Sequence, residues 1–537
     1  MEGHPLPASS TDQPLGWRDL RLLALVILLS AGIRTWLIWH TSVPARDGIG
    51  FIRYAWQLQH RPWREVVREN AHPPGYPLVV LALSLPVRHL IPGSEPLVMQ
   101  LSAQAASGLA AILLVIPTFL LGRDLFNRRV GIGAAFLFQL LPVPVRITSD
   151  ALSEGVFLLL IVTALVVAVR AMRRRSPSAF AASGVLSALA YLTRPEGILV
   201  AVCTGVVLLI GQAVPLWRRP RNEVAFCFTT LVLGCAVFVA PYMAVIGGVT
   251  NKPTARQIMG TVDAEPEIES RLQPSVGPGG PMFASLMAVR WHLRGNELRV
   301  WQTIAGVGYE IGKAFRLVWL PALCGLWYFR SRFRPLPEAW VLLLVCAGLA
   351  LMLGQVAWVR GYISDRHTLF FVLCGSIWAV AAIEEVAKRL PGLHALRFLS
   401  GKAWGTLMIV AFAVLGVPDL LKPMHANRAG HRLAGDWLAE HADPHAALLD
   451  PFCWADYYSG RAFQDREASI RTPSDSAEIY VIAEDSKLAH RWLRGRNEAA
   501  RLIQRGVPVY RCPLQRGGEA EVIVYRVPAG FGAASAN

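Results

Sequence analysis

The sequence predicts a polytopic α-helical membrane protein that ends in a small soluble α/β domain. Of its 537 residues, 53% are hydrophobic and only 17% are charged, whereas about a quarter of a typical soluble domain is charged. Apolar segments of about twenty residues, long enough to cross a bilayer as helices, recur as far as residue 421. Residues 422–537 instead carry fifteen Lys/Arg and fourteen Asp/Glu, a balance typical of a soluble domain.

Eleven segments have the length and apolar composition of membrane spans. The first, 20–39, follows a polar N-terminus, 1–19, that we expect to be disordered. The others are 97–121, 130–148, 151–170, 179–193, 197–217, 224–246, 311–329, 338–358, 366–384 and 403–421. A further segment, 76–91, is shorter and is interrupted by Pro86 and Arg88, so we expect an interfacial or re-entrant helix there.

The positions of the basic residues predict the orientation in the membrane. Five short loops between spans hold seventeen Lys/Arg and two Asp/Glu: 122–129, 170–178, 217–223, 330–337 and 387–402. Basic loops face the cytoplasm, so we expect a cytoplasmic N-terminus in the cytoplasmic (inner) membrane. The outer side then receives a first loop, 41–96, a second large loop, 247–310, and the domain 422–537. Because the basic excess lies in these loops, the net charge of +16 does not indicate nucleic-acid binding.

Local patterns in the tail predict its elements. Periodicity predicts a helix at 429–441 and a basic amphipathic helix at 486–505. Alternation and short apolar runs predict strands at 446–450, 479–483, 508–512 and 521–527. Cys453 and Cys512 lie in this polar region, and the sequence leaves open whether they form a disulfide. The other six cysteines lie in or beside apolar segments.

Polar residues cluster at the outer ends of the spans, where charge suggests function. The first loop contains Asp47 and ends in the Pro-rich motif 72–77, HPPGYP. Each candidate has a structural alternative: Asp47 beside glycines is typical of a turn, and Asp150 or an acid at 154 fits helix capping. Arg194 could pair with Glu196 or bind a lipid headgroup. The chain contains no Walker, HExxH, GxSxG or CxxC motif, which argues against a nucleotide-powered machine.

The order of these motifs resembles the GT-C superfamily of membrane glycosyltransferases, which use polyprenyl-phosphate sugars. Within it, the chain is similar to the branch that contains protein O-mannosyltransferases and the aminoarabinose transferase of lipid A. The matching elements, spread over residues 20–421, are Asp47 followed by Tyr54-Ala55, then 72–77 (HPPGYP), 150–154 (DALSE), 193–197 (TRPEG) and 362–367 (YISDRH). Two glycines depart from the family pattern: Gly48 replaces the second acid of an Asp-Glu pair, and Gly75 replaces a common Leu.

The resemblance implies transfer of a sugar from a polyprenyl-phosphate donor to an acceptor hydroxyl at the outer membrane face, with Asp47 as general base. It implies donor-binding or substrate-binding roles for six residues: His72, Asp150, Arg194, Glu196, Asp365 and Arg366. Tyr54 and Tyr76 would line the lipid groove. The implied partners are the lipid-linked donor, a lipid, glycan or protein acceptor, and membrane lipids. A divalent cation stays open, since some superfamily members need one and others do not.

A transporter or flippase of lipid-linked sugars is the alternative from another class. Transporters usually place ionisable groups near the middle of the membrane and often contain repeated halves. Here the charged candidates cluster at span ends, mid-span positions are almost free of charge, and no long internal repeat is present. These observations favour the transferase.

Overall fold

The computed structural model describes residues 16–252, 256, 296–360, 363–443, 446–464, 478–484, 496–512 and 521–528. Up to residue 252 its α-helices are Trp17–Trp39, Arg46–His60, Trp63–Glu69, Gly75–Leu90, Glu95–Leu113, Val115–Leu125, Arg128–Phe138, Pro142–Ile147, Glu154–Arg174, Pro177–Thr193, Leu199–Ile210 and Arg221–Ile246. From residue 296 to 421 they are Asn296–Phe315, Trp319–Phe333, Pro337–Arg360, Leu369–Arg389, Gly401–Val414 and Val417–Leu420.

Every predicted span coincides with helical structure, but fewer of the helices are long. Six described helices are long and apolar enough to cross a membrane: Trp17–Trp39, Glu95–Leu125, Glu154–Arg174, Arg221–Ile246, Pro337–Trp358 and Asp365–Gly392. The predicted span 130–148 is instead two helices, because the second starts at Pro142, which has no N–H to continue the first. The count of eleven spans stays a prediction.

The central helix and the peripheral helices differ in what surrounds them. Glu154–Arg174 packs against several neighbouring helices, and its Ile161 and Leu165 are fully buried. On Trp17–Trp39, by contrast, Leu28 and Trp39 are 67% and 82% exposed. Large exposed apolar surfaces on helices whose backbone hydrogen bonds are internally satisfied are typical of contact with lipid. The fold therefore has membrane-protein character.

The first loop consists of three helices that pack on the bundle. The Arg61 guanidinium donates two hydrogen bonds to the Glu69 carboxylate, each at 2.8 Å. This ion pair joins the first two of these helices. Segment 76–91 is one helix, Gly75–Leu90, which Pro86 does not break. The Tyr76 hydroxyl donates to the Ala103 carbonyl at 2.9 Å and fixes this helix to the next.

The tail forms the mixed sheet that its pattern predicts. Its strands are β1 (Ala447–Leu449), β2 (Ile479–Glu484), β3 (Val507–Arg511) and β4 (Val522–Val527), and its helices include Ala429–His441, Trp454–Tyr458 and Arg496–Ile503. The strand order is β1-β2-β4-β3, with β1 parallel to β2 and β4 antiparallel to both of its neighbours. Only Arg496–Ile503 of the predicted helix 486–505 is described as helical. Cys453 and Cys512 are both free thiols, so the structure contains no disulfide between them.

The C-terminal domain is docked on the first loop through aromatic residues. The Trp454 indole N–H donates to the Pro44 carbonyl at 2.9 Å, and the Tyr457 hydroxyl donates to the Pro96 carbonyl at 2.6 Å. These contacts place the C-terminal domain beside the start of the helix that carries Asp47. Most of the predicted second outer loop, 247–310, and residues 1–15 lie outside the described residues, while the first helix starts at Trp17, within the predicted disordered N-terminus.

Candidate active site

An ion pair between Asp47 and Arg366 forms the open part of the candidate site. Asp47 lies in the first turn of Arg46–His60, and Arg366 lies in the 3-10 turn Asp365–Thr368. The Arg366 guanidinium contacts the Asp47 carboxylate directly, and the two side chains are 30% and 54% exposed. The acid that the sequence predicts as the base is therefore exposed to solvent beside a predicted phosphate-binding cation.

Asp47 is positioned by close packing against the turn at residues 150–151. The Ala45 N–H, just before the helix, donates to the Asp150 carboxylate at 3.0 Å. A Cβ on Gly48 would lie 2.6 Å from the Ala151 carbonyl oxygen, a distance that real Cβ atoms do not adopt. Gly48 therefore stands where the family pattern has an acid because the helix approaches this turn too closely for any side chain.

A second group of charges surrounds Arg194. Its guanidinium donates to Glu154 at 2.7 Å and lies 3.7 Å from Glu196, and its side chain is only 16% exposed. It also lies over the Phe157 ring, 5.6 Å from the centroid. Lys252 reaches the same Glu196 at 3.4 Å. Arg194 is therefore held in place by its partners and packing at the end of Pro177–Thr193.

His72 interacts electrostatically with members of both groups. Burial, followed by the charges of Lys252 and Arg194, lowers the pKa of His72 to about 4, so the imidazole is neutral at pH 7. The Asp47 carboxylate and the Arg366 guanidinium also act on this ring, which places all four charged groups within electrostatic range of it.

The glycine of the HPPG motif brings His72 to this position. A Cβ on Gly75 would lie 2.5 Å from the Leu192 carbonyl oxygen. The start of Gly75–Leu90 therefore touches the end of Pro177–Thr193, the helix that immediately precedes Arg194, and only glycine allows that approach. The second departure from the family pattern thus has the same cause as the first.

Four of the predicted site residues make contacts different from those that the sequence predicts. Asp150 is buried and accepts hydrogen bonds from two backbone N–H groups and, at 2.7 Å, interacts with His425 at the base of the C-terminal domain. Asp365 pairs with Lys313 at 3.1 Å. Tyr54 and Tyr76 are almost completely buried, at 1% and 0% exposed, so neither lines an open groove in this structure.

Two residues of the cluster were not among the predicted site residues. The sequence favours a capping role for Glu154, but its carboxylate binds Arg194, and the helix N-cap is Ser153 without a side-chain hydrogen bond. Lys252 lies at the start of the predicted second outer loop, and no sequence motif marks it.

Within the described ranges, no group of three or more His, Cys, Asp or Glu side chains could hold a metal ion.

Comparisons with known proteins concern the fold and the family resemblance of the chain. Residues 89–244 match a family model described as dolichyl-phosphate-mannose-protein mannosyltransferase. The fold is similar to the apo oligosaccharyltransferase of Archaeoglobus fulgidus, with a TM-score of 0.57 and 13% identity over 89% of this chain and 70% of that one. It is also similar to ArnT from Cupriavidus metallidurans bound to undecaprenyl phosphate, with a TM-score of 0.51 and 13% identity over 95% and 98% of the two chains. The predicted GT-C resemblance is confirmed.

A further GT-C neighbour is the archaeal oligosaccharyltransferase AglB from Archaeoglobus fulgidus in complex with an inhibitory peptide and a dolichol-phosphate. Its TM-score is 0.53 at 13% identity, over 85% of this chain and 61% of that one. No curated protein sequence matches the chain. The family match includes Asp150, Glu154, Arg194 and Glu196 but not Asp47, so the case for Asp47 depends on the geometry.

Proposed function

We propose that the protein is a membrane glycosyltransferase that moves a sugar from a polyprenyl-phosphate donor to an acceptor hydroxyl. The observation that carries the proposal is the partly exposed Asp47–Arg366 ion pair, which acts on the same His72 ring as Arg194 and Lys252 of the Arg194–Glu196–Lys252 group. A carboxylate next to several cations suits a reaction in which a proton is removed while a phosphate departs. The mannosyltransferase family match and the GT-C fold support sugar transfer as the reaction class.

The three basic side chains are proposed to bind the donor phosphate. Arg366 is accessible, Arg194 is held rigidly by Glu154, and Lys252 lies across Glu196 from it. Guanidinium groups bind phosphate through paired N–H donors, and a fixed cation stabilises charge that develops on a leaving group. Neutral His72 adds a hydrogen bond without adding charge.

Asp47 is proposed to act as the general base. In the reaction the acceptor O–H proton passes to the carboxylate, the acceptor oxygen bonds to the anomeric carbon, and the carbon–oxygen bond to phosphate breaks with its electron pair on the phosphate. In the structure the Arg366 guanidinium occupies the Asp47 carboxylate. A donor phosphate that binds Arg366 would release Asp47 for this step, so donor binding would activate the base.

The proposed location follows from the basic loops of the sequence and the position of the cluster. We place the site at the outer face of the cytoplasmic membrane, with residues 20–421 as the catalytic domain and 422–537 as an extracytoplasmic domain. The lipid chain of the donor would lie between helices near the membrane surface. The acceptor is a lipid, a glycan or a protein hydroxyl near the first loop, where the C-terminal domain is docked.

Gene deletion followed by mass spectrometry of envelope glycans, glycolipids and glycoproteins tests this proposal. The expected result is that one class of molecules loses a single sugar and that the wild-type gene restores it. Complementation with Asp47→Asn should leave the sugar missing. An unchanged envelope, or the loss of an entire lipid-linked intermediate from the outer leaflet, would contradict transfer and favour transport.

A further inference from the structure

A second basic cluster lies at the other end of the helix bundle from the candidate site. The helix Glu154–Arg174 joins the two, because its first residue pairs with Arg194 and its last turn carries Arg173. At 21 residues this helix is about 30 Å long, which matches the hydrocarbon thickness of a bilayer. The second cluster therefore lies at the opposite membrane face.

A pocket of about 360 Å³ opens in this cluster, between the end of that helix, the turn Pro215–Trp217 and the residues just before Pro337. Its charged lining consists of Arg173, Arg175 and Arg219, and no acidic side chain among the described residues lines it. The remaining wall is apolar and includes Met172, Leu216, Trp217 and Leu336.

Arg219 is built into the wall of this pocket. Its side chain is only 7% exposed, and one of its amino groups donates to the Met172 carbonyl. Its other amino group, Nη1, is buried and has no hydrogen-bond partner within the described part of the chain. Glu223 lies 3.7 Å away, which is ion-pair range but too far for a hydrogen bond. The Glu223 Oε1 atom is likewise buried without a hydrogen-bond partner among the described residues. A buried N–H without a hydrogen bond is costly, so an acceptor that approaches Nη1 more closely than Glu223 does would stabilise it.

The charges around the pocket leave one positive charge in excess. Arg173 pairs with Glu338 at 2.7 Å, while Arg175 and Arg219 share Glu223 at 4.0 and 3.7 Å. Three guanidinium groups thus face two carboxylates. Burial and the neighbouring Arg175 both lower the pKa of Arg219, which is consistent with two cations competing for one carboxylate.

We propose that this pocket binds the phosphate of an anionic phospholipid from the surrounding bilayer. The phosphate oxygens would accept from Arg219 and Arg175, and an acyl chain would lie along Leu216, which is 74% exposed, and Trp217. Basic pockets between membrane helices suit anionic headgroups, and paired guanidinium donors suit phosphate. The apolar exposed wall favours a lipid over a free phosphate compound. The inference concerns a different face from the candidate active site and does not depend on sugar transfer.

Native mass spectrometry of the purified full-length protein in detergent tests this inference, with phosphatidylglycerol and phosphatidylcholine as the added lipids. The wild type should retain one phosphatidylglycerol in preference to phosphatidylcholine. Arg219→Gln should weaken that retention about tenfold, since it removes a charge-assisted contact. Arg218→Gln is the matched control, because it removes the same charge from an exposed neighbour that does not line the pocket.

Arg175→Gln is a second variant, and we expect it to leave folding stability nearly unchanged because the Arg175 side chain is 58% exposed. It should also weaken retention of phosphatidylglycerol. Equal retention of the two lipids, or unchanged retention in both pocket variants, would overturn the inference. Displacement of the phosphatidylglycerol by millimolar inorganic phosphate would also overturn it, because it would show a pocket for free phosphate compounds.

Discussion

The guanidinium of Arg366 forms an ion pair with the carboxylate of Asp47 in the folded protein. The two residues come from the first loop and from a turn close to the last membrane helices, so only the packing of the bundle brings them together. If the donor phosphate takes Arg366, Asp47 is released to accept a proton. The base and its activation would then depend on the same contact.

Asp47→Asn should reduce sugar transfer by about a hundredfold or more, because the amide cannot accept the acceptor proton. Transfer is measured by complementation of a deletion strain and mass spectrometry of the affected envelope species. Glu65→Gln is the matched control, since it neutralises an exposed acid in the same loop and should leave transfer unchanged. Near-normal transfer by Asp47→Asn, at normal protein level, would remove Asp47 from the base role.

Gly48→Ala should destabilise the protein by about 1–3 kcal/mol, because the new methyl group would overlap the Ala151 carbonyl oxygen. Gly50→Ala, in the same helix, meets no described atom within 4 Å and should instead stabilise by about 0.5–1 kcal/mol. Thermal unfolding of the two purified variants checks this contrast. Equal melting temperatures would show that the approach of the helix to residue 151 is looser than the structure indicates.

His72 should make folding stability depend on pH between about 4 and 6.5. The pKa of His72 is lowered from 6.5 to about 4 by burial and by the charges of Lys252 and Arg194. As the pH falls below 6.5, the unfolded chain takes up a proton at this site before the folded protein does. The stability that is present above pH 6.5 is therefore lost as the pH falls through 4.

His72→Gln should flatten this part of the pH profile, because glutamine does not titrate. The measurement is the midpoint of thermal unfolding of wild type and variant at a series of pH values from 4 to 7. Parallel profiles for the two proteins would mean that other groups cause the acid sensitivity.

Asp150→Asn should loosen the C-terminal domain from the membrane domain. The variant keeps an oxygen for the Ala45 and Ala151 N–H groups but loses the carboxylate partner of His425, a charge-assisted contact worth about 1.5–3 kcal/mol. Faster hydrogen exchange at residues 421–428 is the expected readout. Asp436→Asn, at an exposed position of the first helix of the domain, should leave exchange there as in the wild type. Unchanged exchange in both variants would assign the docking to the aromatic contacts alone.

A protease-sensitive tag after Asn537 should be cleaved from outside in intact spheroplasts, because the basic loops predict a cytoplasmic N-terminus and an odd number of spans. A tag before Met1 should be protected in the same preparation. Protection of the C-terminal tag would contradict the proposed orientation and place the candidate site on the wrong face for an outer-leaflet donor.

The local elements of this protein could be read from its sequence. Alternation and periodicity record which faces of a segment are buried, so the helix at 429–441 and the strands of the C-terminal sheet lie where those patterns predict them. Local patterns fail where packing or proline geometry decides. Pro142 divides a predicted span, whereas the helix expected at 76–91 is present as Gly75–Leu90.

The sequence by itself determined the helical membrane character, the C-terminal α/β elements and the kinds of side chain available for chemistry, because composition and periodicity are local properties. Only the tertiary structure decided which of those side chains meet. It joined Asp47 to Arg366, paired Arg194 with Glu154, brought Lys252 to the Glu196 that Arg194 also contacts, and buried Tyr54. The physical reason is that these contacts form between helix ends far apart along the chain, where close approaches such as that of Gly48 to residue 151 fix the geometry.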